Sequence, residues 1–316
     1  MATDYILFIH GVNTRERRPQ PEYANSLFEL LYQKNASDPK RELKKIAIYW
    51  GNVNEKAENE LLKNLQDSPY WSQMWFKAFR EKQILQFAGD AALYISSYIG
   101  SLVVQQLKAQ ALQNGLNNPQ PDDRLHLVTH SWGTVILFDI LFADRWDNEN
   151  VPGHADVMQI RDAIFGVSGK DHNTLYQGIK LASIHTMGSP VAIFSLTNIR
   201  AGKDETNSPS SHDITPKLQQ LLESLSKERN GQKLPWRNFI HPGDPIAYPL
   251  ESLMSNLVDG DKKFLDIQDV ITHQPGPLEL LIEQSAVALL FGGDAHGSYW
   301  RSNKVAQLIS DIVTKN

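Results

Sequence analysis

The 316-residue chain reads as an α/β protein with a mostly parallel central sheet flanked by helices. Three observations predict this. Apolar runs of strand length alternate with longer stretches of helical periodicity, the order expected of a sheet covered on both faces. The runs are near-continuous in Val, Ile, Leu and Phe, as strands buried on both faces are. Several of them stop at short strings that carry polar, chemistry-bearing side chains: His10-Gly11-Val12, Ser131, Ser189 and Asp244. In an open parallel sheet, ligands bind beyond the carboxyl ends of the strands.

The elements follow in order. Residues 5–9, Tyr-Ile-Leu-Phe-Ile, form a first strand ending at His10-Gly11. Tyr23, Leu27, Leu30 and Leu31 then recur at helical spacing. Lys45 to Trp50 form a second strand, closed by Gly51. Residues from about 55 to 116 read as helical. A turn string from Asn117 to Asp123 leads to a third strand, Leu125 to Thr129, which runs straight into His130-Ser131-Trp132-Gly133. Residues 134–143 are apolar and helical. Lys180 to Met187 form a fourth strand and Arg237 to His241 a fifth, followed by Pro242-Gly243-Asp244-Pro245. Residues 264–272 supply the last. Residues 200–213 have the polar composition of a loop. Leu218, Leu221, Leu222 and Leu225 mark a helix, and a terminal helix starts near Ser298 with Val305, Leu308, Ile309, Ile312 and Val313 on one face. No fixed-period repeat and no sharp linker divides the chain. A single domain over residues 1–316 is expected, with a helical cap inserted at about 53–118.

Composition narrows the function. Hydrophobic residues make up 41% and charged residues 21%, enough apolar material for a large core, which excludes a wholly disordered chain. Thirty-one Lys and Arg against thirty-six Asp and Glu give a net charge of −5. Such a chain lacks the basic field that nucleic-acid binding needs, so no nucleic-acid partner is expected. The absence of Cys excludes disulfides, a thiolate nucleophile and cysteine-ligated metals. The first ten residues show neither the basic nor the long apolar region of a signal peptide, so the cytoplasm is the expected location. Between Asp90 and Lys108 no residue is charged, but the run is short of the roughly 20 mostly apolar residues that a bilayer requires. It reads as a buried or cap helix, and no transmembrane segment is expected.

Ser131 is the sharpest chemical candidate. It stands between a strand and a helix, and a reversal that tight holds its middle residue in a strained conformation with the side chain clear of the sheet. The helix amides behind it favour negative charge. Gly133 lets the helix approach the strand closely. A serine hydroxyl needs a base to take its proton. Of ten histidines, His296 lies in a flexible loop, Gly292 to Ser298, just before the terminal helix, and can reach the nucleophile's end of the sheet. His130 adjoins Ser131 in sequence, so its side chain is expected to point elsewhere. His126 and His185 lie inside strands and read as packing or edge residues. His154, His172 and His212 lie in polar loops. The imidazole needs a carboxylate to fix its tautomer. Asp244 follows a strand in a turn-forming string, with Asp294, Asp266 and Asp269 as rivals. For a developing oxyanion, the backbone N–H of Trp132 and one from Val12 or Gly11 are the expected donors.

These strings together, Phe8-Ile9-His10-Gly11-Val12, Thr129-His130-Ser131-Trp132-Gly133, Gly243-Asp244-Pro245 and Ala295-His296-Gly297, resemble the serine-hydrolase branch of the α/β-hydrolase superfamily, in which the Ser, Asp and His come in that chain order. The resemblance covers most of the chain outside about 53–118 and 145–178. It implies the α/β-hydrolase fold, opening at the superfamily's third strand, and a Ser131–His296–Asp244 triad with an oxyanion hole from Val12 and Trp132. One departure stands out: Thr129 occupies the position of the motif's first glycine.

The expected activity is cleavage of carboxylic esters through an acyl-serine intermediate, esterase- or lipase-like, with no metal or organic cofactor and a small-molecule or lipid ester as partner. An amidase, thioesterase or acyltransferase on the same triad, or a non-catalytic binding scaffold of the same fold, are the alternatives. A metallohydrolase is disfavoured because no H-E-x-x-H string is present. A phosphate loop at Ser168 to Asp171 is rejected because Ile164 stands where glycine is required. The aromatic group from Tyr70 to Phe79 reads first as a helix face packed on the core. Its alternative reading is an acyl-pocket wall or lid.

Overall fold

The computed structural model describes residues 1–12, 21–35, 41–77, 80–85, 94, 97–167, 178–194, 213–274 and 294–315. The strands are β1 (Ala2–Ile9), β2 (Arg41–Ile48), β3 (Arg124–His130), β4 (Lys180–Met187), β5 (Leu234–Ile240) and β6 (Leu265–Ile271). The helices are α1 (Asn25–Asn35), α2 (Glu55–Gln66), α3 (Ser97–Ala111), α4 (Trp132–Phe142), α5 (His154–Asp162), α6 (Val191–Phe194), α7 (Thr215–Glu228), α8 (Glu251–Val258) and α9 (Asn303–Lys315). All six strands form one sheet in the order β2-β1-β3-β4-β5-β6, and every neighbouring pair is parallel.

Alternation along each strand divides the apolar residues between two cores. Ile6 and Phe8 of β1 join Val128, Met187 and Phe239 beneath α1 and α9, through Leu27, Leu31, Val305 and Ile309. Tyr5, Leu7 and Ile9 face the other way, into a larger core with Val103 and Val104 of α3 and Ile136 and Ile140 of α4. Burial of both faces explains why the strands read as apolar runs. α4 is apolar apart from Thr134 and the ion-paired Asp139, and each residue from Gly133 to Phe142 is buried. That is the pattern of a helix enclosed on every side rather than one with a wet face.

The chain runs from β1 to β2 on one side and then returns to place β3 on the other side of β1. The strand order therefore reverses there, and in open α/β sheets such a switch point, beyond the carboxyl ends of the strands, is where ligands bind. With the strand-to-helix reversal at Ser131, this is the α/β-hydrolase fold.

Two expectations need correction. The described parts of 55–116 are helical in separate pieces, which include α2, Trp71–Gln73, Arg80–Leu85 and α3. The aromatic segment is not a packed helix face: Tyr70, Trp75 and Phe76 are 68%, 79% and 73% exposed, and Met74 is exposed as well. Pro69 and the positive φ of Phe76 (56°) interrupt the helix, so no continuous face forms to turn inward. Phe79, His172, His212 and the expected loop at 200–212 lie outside the described residues. Among the described residues, no helix is long and apolar enough to cross a membrane.

Candidate active site

Ser131 sits between the last residue of β3 and the first of α4 with φ 55° and ψ −134°, a conformation that L-residues rarely adopt. Three contacts hold it. Its N–H donates to the Met187 carbonyl at the end of β4 (3.0 Å), its own carbonyl accepts from Thr134 N–H (3.0 Å), and α4 presses against the end of β1. A Cβ on Gly133 would stand 2.2 Å from the His10 carbonyl oxygen, so only glycine permits that approach. Thr129, in the place of the motif's first glycine, is fully buried, and its hydroxyl pairs with that of Thr134 at 2.8 Å. The extra side chain is accommodated by a bond into the first turn of α4. Ser131 is itself fully buried, and among the described residues its Oγ has no hydrogen-bond partner.

The other expected residues gather at the same edge. Asp244, beyond β5, receives His296 Nδ1 on its Oδ2 at 2.8 Å. The proton of the imidazole thus lies on Nδ1, leaving Nε2 as an acceptor. Tyr299 Oη donates to the same Oδ2 at 2.8 Å and accepts from His241 N–H at 2.8 Å. Ile246 N–H donates to Asp244 Oδ1 at 3.2 Å. Burial pushes the Asp244 carboxyl up, but the His296 partner and the Tyr299 and Ile246 donors outweigh it, and the group titrates below the ordinary carboxylate range. Burial and the neighbouring Asp244 charge push the Tyr299 hydroxyl well up, so it stays a donor. The rival carboxylates are engaged elsewhere. Asp266 pairs with Arg237 at 2.7 Å. Asp269 accepts from Asn238 and from the Leu250 and Glu251 amides at the start of α8. Asp294 is exposed.

The loop after β1 lies against Ser131, with Gly11 in contact with its side chain. His10 is buried and its ring stacks on Trp50 (5.4 Å between centroids, 2° between planes). Trp50 N–H donates to His10 Nε2 at 3.2 Å, so Nδ1 carries the proton and donates to the Gly11 carbonyl at 2.5 Å. A trans peptide directs its N–H opposite to its C=O. Pinning the Gly11 carbonyl therefore turns the Val12 N–H away from His10. Trp132 is half-buried at the amino end of α4. Ser189 takes no part in the cluster: its hydroxyl accepts from Val191 N–H at the start of α6.

Three contributors were not legible as such. Tyr299 was absent from the candidates, although it follows His296 by three residues, one helical turn. Gly188 closes β4 with φ +54°, and a Cβ there would stand 2.6 Å from Asp244 Oδ2 and 3.1 Å from His296 Nδ1. His130 was expected to point elsewhere, and its ring in fact packs on that of His296 at 4.4 Å. Ser131 Oγ and His296 are not hydrogen-bonded in this conformation. Among the described residues, no group of three or more His, Asp or Glu side chains is placed to hold a metal ion.

No protein-family model matches the chain. A probable mitochondrial phospholipase of Saccharomyces cerevisiae is 31% identical over 150 residues. That stretch is 44% of this chain and 21% of the yeast protein, so the chain spans about a fifth of that relative's length. Among solved structures, an iodinated complex of acetyl xylan esterase aligns over 98% of this chain and 97% of its own, with a TM-score of 0.35 and 11% identity.

Proposed function

We propose that the chain is a serine hydrolase that cleaves carboxylic esters. The observation that carries the reading is the Asp244–His296 pair at 2.8 Å, with Asp244 buried, at the same sheet edge as a strained, buried Ser131. In the proposed reaction His296 Nε2 takes the Ser131 Oγ proton as Oγ attacks the ester carbonyl carbon. The carbon–alkoxy bond then breaks, and the leaving alcohol takes the proton back from His296. Water, deprotonated by the same imidazole, attacks the acyl-serine and releases the acid with Ser131 restored. Asp244 stabilises the imidazolium in both halves. The Val12 and Trp132 N–H groups are the proposed oxyanion donors, with Gly11 as the turn that presents the first. In this reading a Ser131–His296 hydrogen bond forms on substrate binding, as catalytic bonds absent or long in an unliganded site do.

Acyl-lipid esters are the proposed substrate class within this reading. The exposed apolar segment Tyr70 to Phe76 and the likeness to a probable phospholipase both favour it. The test is a fluorophosphonate probe and a series of p-nitrophenyl esters from acetate to palmitate. Labelling of the wild type, none of Ser131→Ala, and turnover rising with chain length are expected. Equal labelling of both proteins removes Ser131 from the role. Labelling without ester turnover redirects the chemistry to amides, thioesters or acyl transfer, and neither labelling nor turnover leaves a binding scaffold.

A further inference from the structure

His130 is unlike the other histidines near the cluster. It is the last residue of β3, immediately before Ser131, and is only 7% exposed. Its Nε2 lies 2.7 Å from the backbone carbonyl of His296, so Nε2 carries the proton and donates it. Its ring centroid is 4.4 Å from that of His296 at a 36° tilt, with Trp300 at 5.4 Å and Tyr299 at 5.9 Å around it. One side chain thus grips both the main chain and the ring of the residue proposed as base.

We infer that His130 is a positioning residue that locks His296 to the strand bearing Ser131. The nucleophile is fixed by β3 and α4, which belong to the packed centre of the molecule. His296 instead belongs to the short helical turn 294–297, and its side chain is 22% exposed. Asp244 holds the imidazole by one nitrogen from the side of β5, whereas the His130 contacts hold it from the side of β3. The bond from His130 Nε2 to the His296 carbonyl ties that turn directly to the residue next to the nucleophile. A misplacement of about 1 Å can cost on the order of a hundredfold in rate, so such a tie acts on turnover rather than on folding.

The tie works only while His130 is neutral, because a charged ring at 4.4 Å would oppose the imidazolium that forms on His296. Burial first, and the nearby His296 second, push the His130 ring down to about 3. Asp244 and His10 are the other charged or titratable groups acting on it, with opposite signs. The ring therefore stays neutral, and its proton stays on Nε2, through the range in which an imidazole base operates.

This inference rests on the reading of Ser131 and His296 as nucleophile and base, and its test separates the two. Nitrogen-15 histidine NMR reports the His296 tautomer without any turnover. In the wild type and in Ser131→Ala, His296 is expected as one sharp Nδ1–H tautomer. In His130→Ala the tautomer stays with Asp244, but the ring signals are expected to shift and broaden as the turn loosens. In His130→Gln, whose side-chain amide can still donate to the carbonyl, the sharp wild-type signals are expected to return. Ester kinetics form the second arm: His130→Ala lowers kcat on the order of ten- to a hundredfold with KM within about twofold, and His130→Gln recovers most of the loss. An unchanged His296 spectrum in His130→Ala overturns the inference. So does an equal loss of kcat in both variants that tracks a fall in melting temperature. If the wild type neither labels nor turns over esters, the hydrolase reading fails, and the NMR arm still decides whether His130 holds His296.

Discussion

At the scale of single residues, Asp244 Oδ2 is the most heavily used atom of the cluster, accepting His296 Nδ1 and Tyr299 Oη at 2.8 Å each. A hydrogen bond to a charged group contributes about 1.5–3 kcal/mol. Tyr299→Phe keeps the ring in its packed place and removes one donor, so the carboxyl should titrate higher and its orientation loosen. Ester turnover is expected to fall about tenfold in kcat, equivalent to roughly 1.4 kcal/mol of barrier, with KM little changed. Steady-state kinetics on a soluble ester check this, and an unaltered kcat would mean that Asp244 is held adequately by the Ile246 amide. Gly188→Ala acts by intrusion instead. Its methyl would stand 2.6 Å from Asp244 Oδ2 at a backbone φ of +54°, which L side chains resist. The expected outcome is a fall in kcat/KM on the order of a hundredfold, since the Asp–His pair must move aside. Retention of normal turnover with an intact fold would show that the pair is not used.

At the scale of elements, the strained reversal at Ser131 is kept in place by the ends of three parallel strands and by the first turn of α4. A residue in such a conformation costs about 1–3 kcal/mol, and the surroundings must supply it. The Thr129–Thr134 hydroxyl bond at 2.8 Å is one supply. Thr129→Val conserves shape but strands the Thr134 hydroxyl in the core, so a loss of about 1–3 kcal/mol in urea unfolding is expected. An unchanged unfolding midpoint would show that the bond contributes nothing net.

The same element shows why some of the molecule was legible in the sequence. A strand, a serine, a glycine two residues on and an apolar helix are local features, so Ser131 and the reversal could be read from one stretch of chain. Six strands were legible because burial on both faces leaves uninterrupted apolar runs. α5 and α8 were missed: α5 buries only Val157 and Arg161, and α8 only Met254, Ser255 and Val258, too few for a periodic signal. The grip of His130 on His296 joins positions 166 residues apart and leaves no local trace. The exposure of Trp75 and Phe76 was misread because an aromatic cluster looks the same in sequence whether it is packed or presented.

At the scale of the whole molecule, the sheet carries buried ionisable groups from end to end. At the amino ends of the strands, Asp4 meets Arg41 and Arg124 at 2.8 and 2.7 Å. Burial there favours the neutral acid, but His126 and the two guanidinium groups outweigh it and hold the carboxyl well below its usual range. Across the middle, His126 Nδ1 and His185 Nε2 share the Ser183 hydroxyl at 2.7 and 2.8 Å, and both rings are fully buried. Burial lowers His126 despite the attraction of Asp4, and lowers His185 much further. With His130 at the carboxyl end, His130 and His185 stay neutral in the folded chain at a pH where the unfolded chain, near 6.5, takes up protons. The sign follows from linkage. The folded values are depressed, so the stabilisation is complete above pH 6.5 and is lost as pH falls below it. Each such histidine contributes a slope of about 1.4 kcal/mol per pH unit, and the two together about 3, against a total stability of about 5–15 kcal/mol. The expected result is a urea midpoint that drops steeply between pH 6.5 and 5, before the carboxylates are neutralised. The drop should become shallower by about half in His185→Gln, where one of the two linked protons is gone. A midpoint flat from pH 7 to 5 would mean that the native sheet accepts these protons, and that its polar middle is wetter than the close-packed layer between α1, α9 and α4 implies.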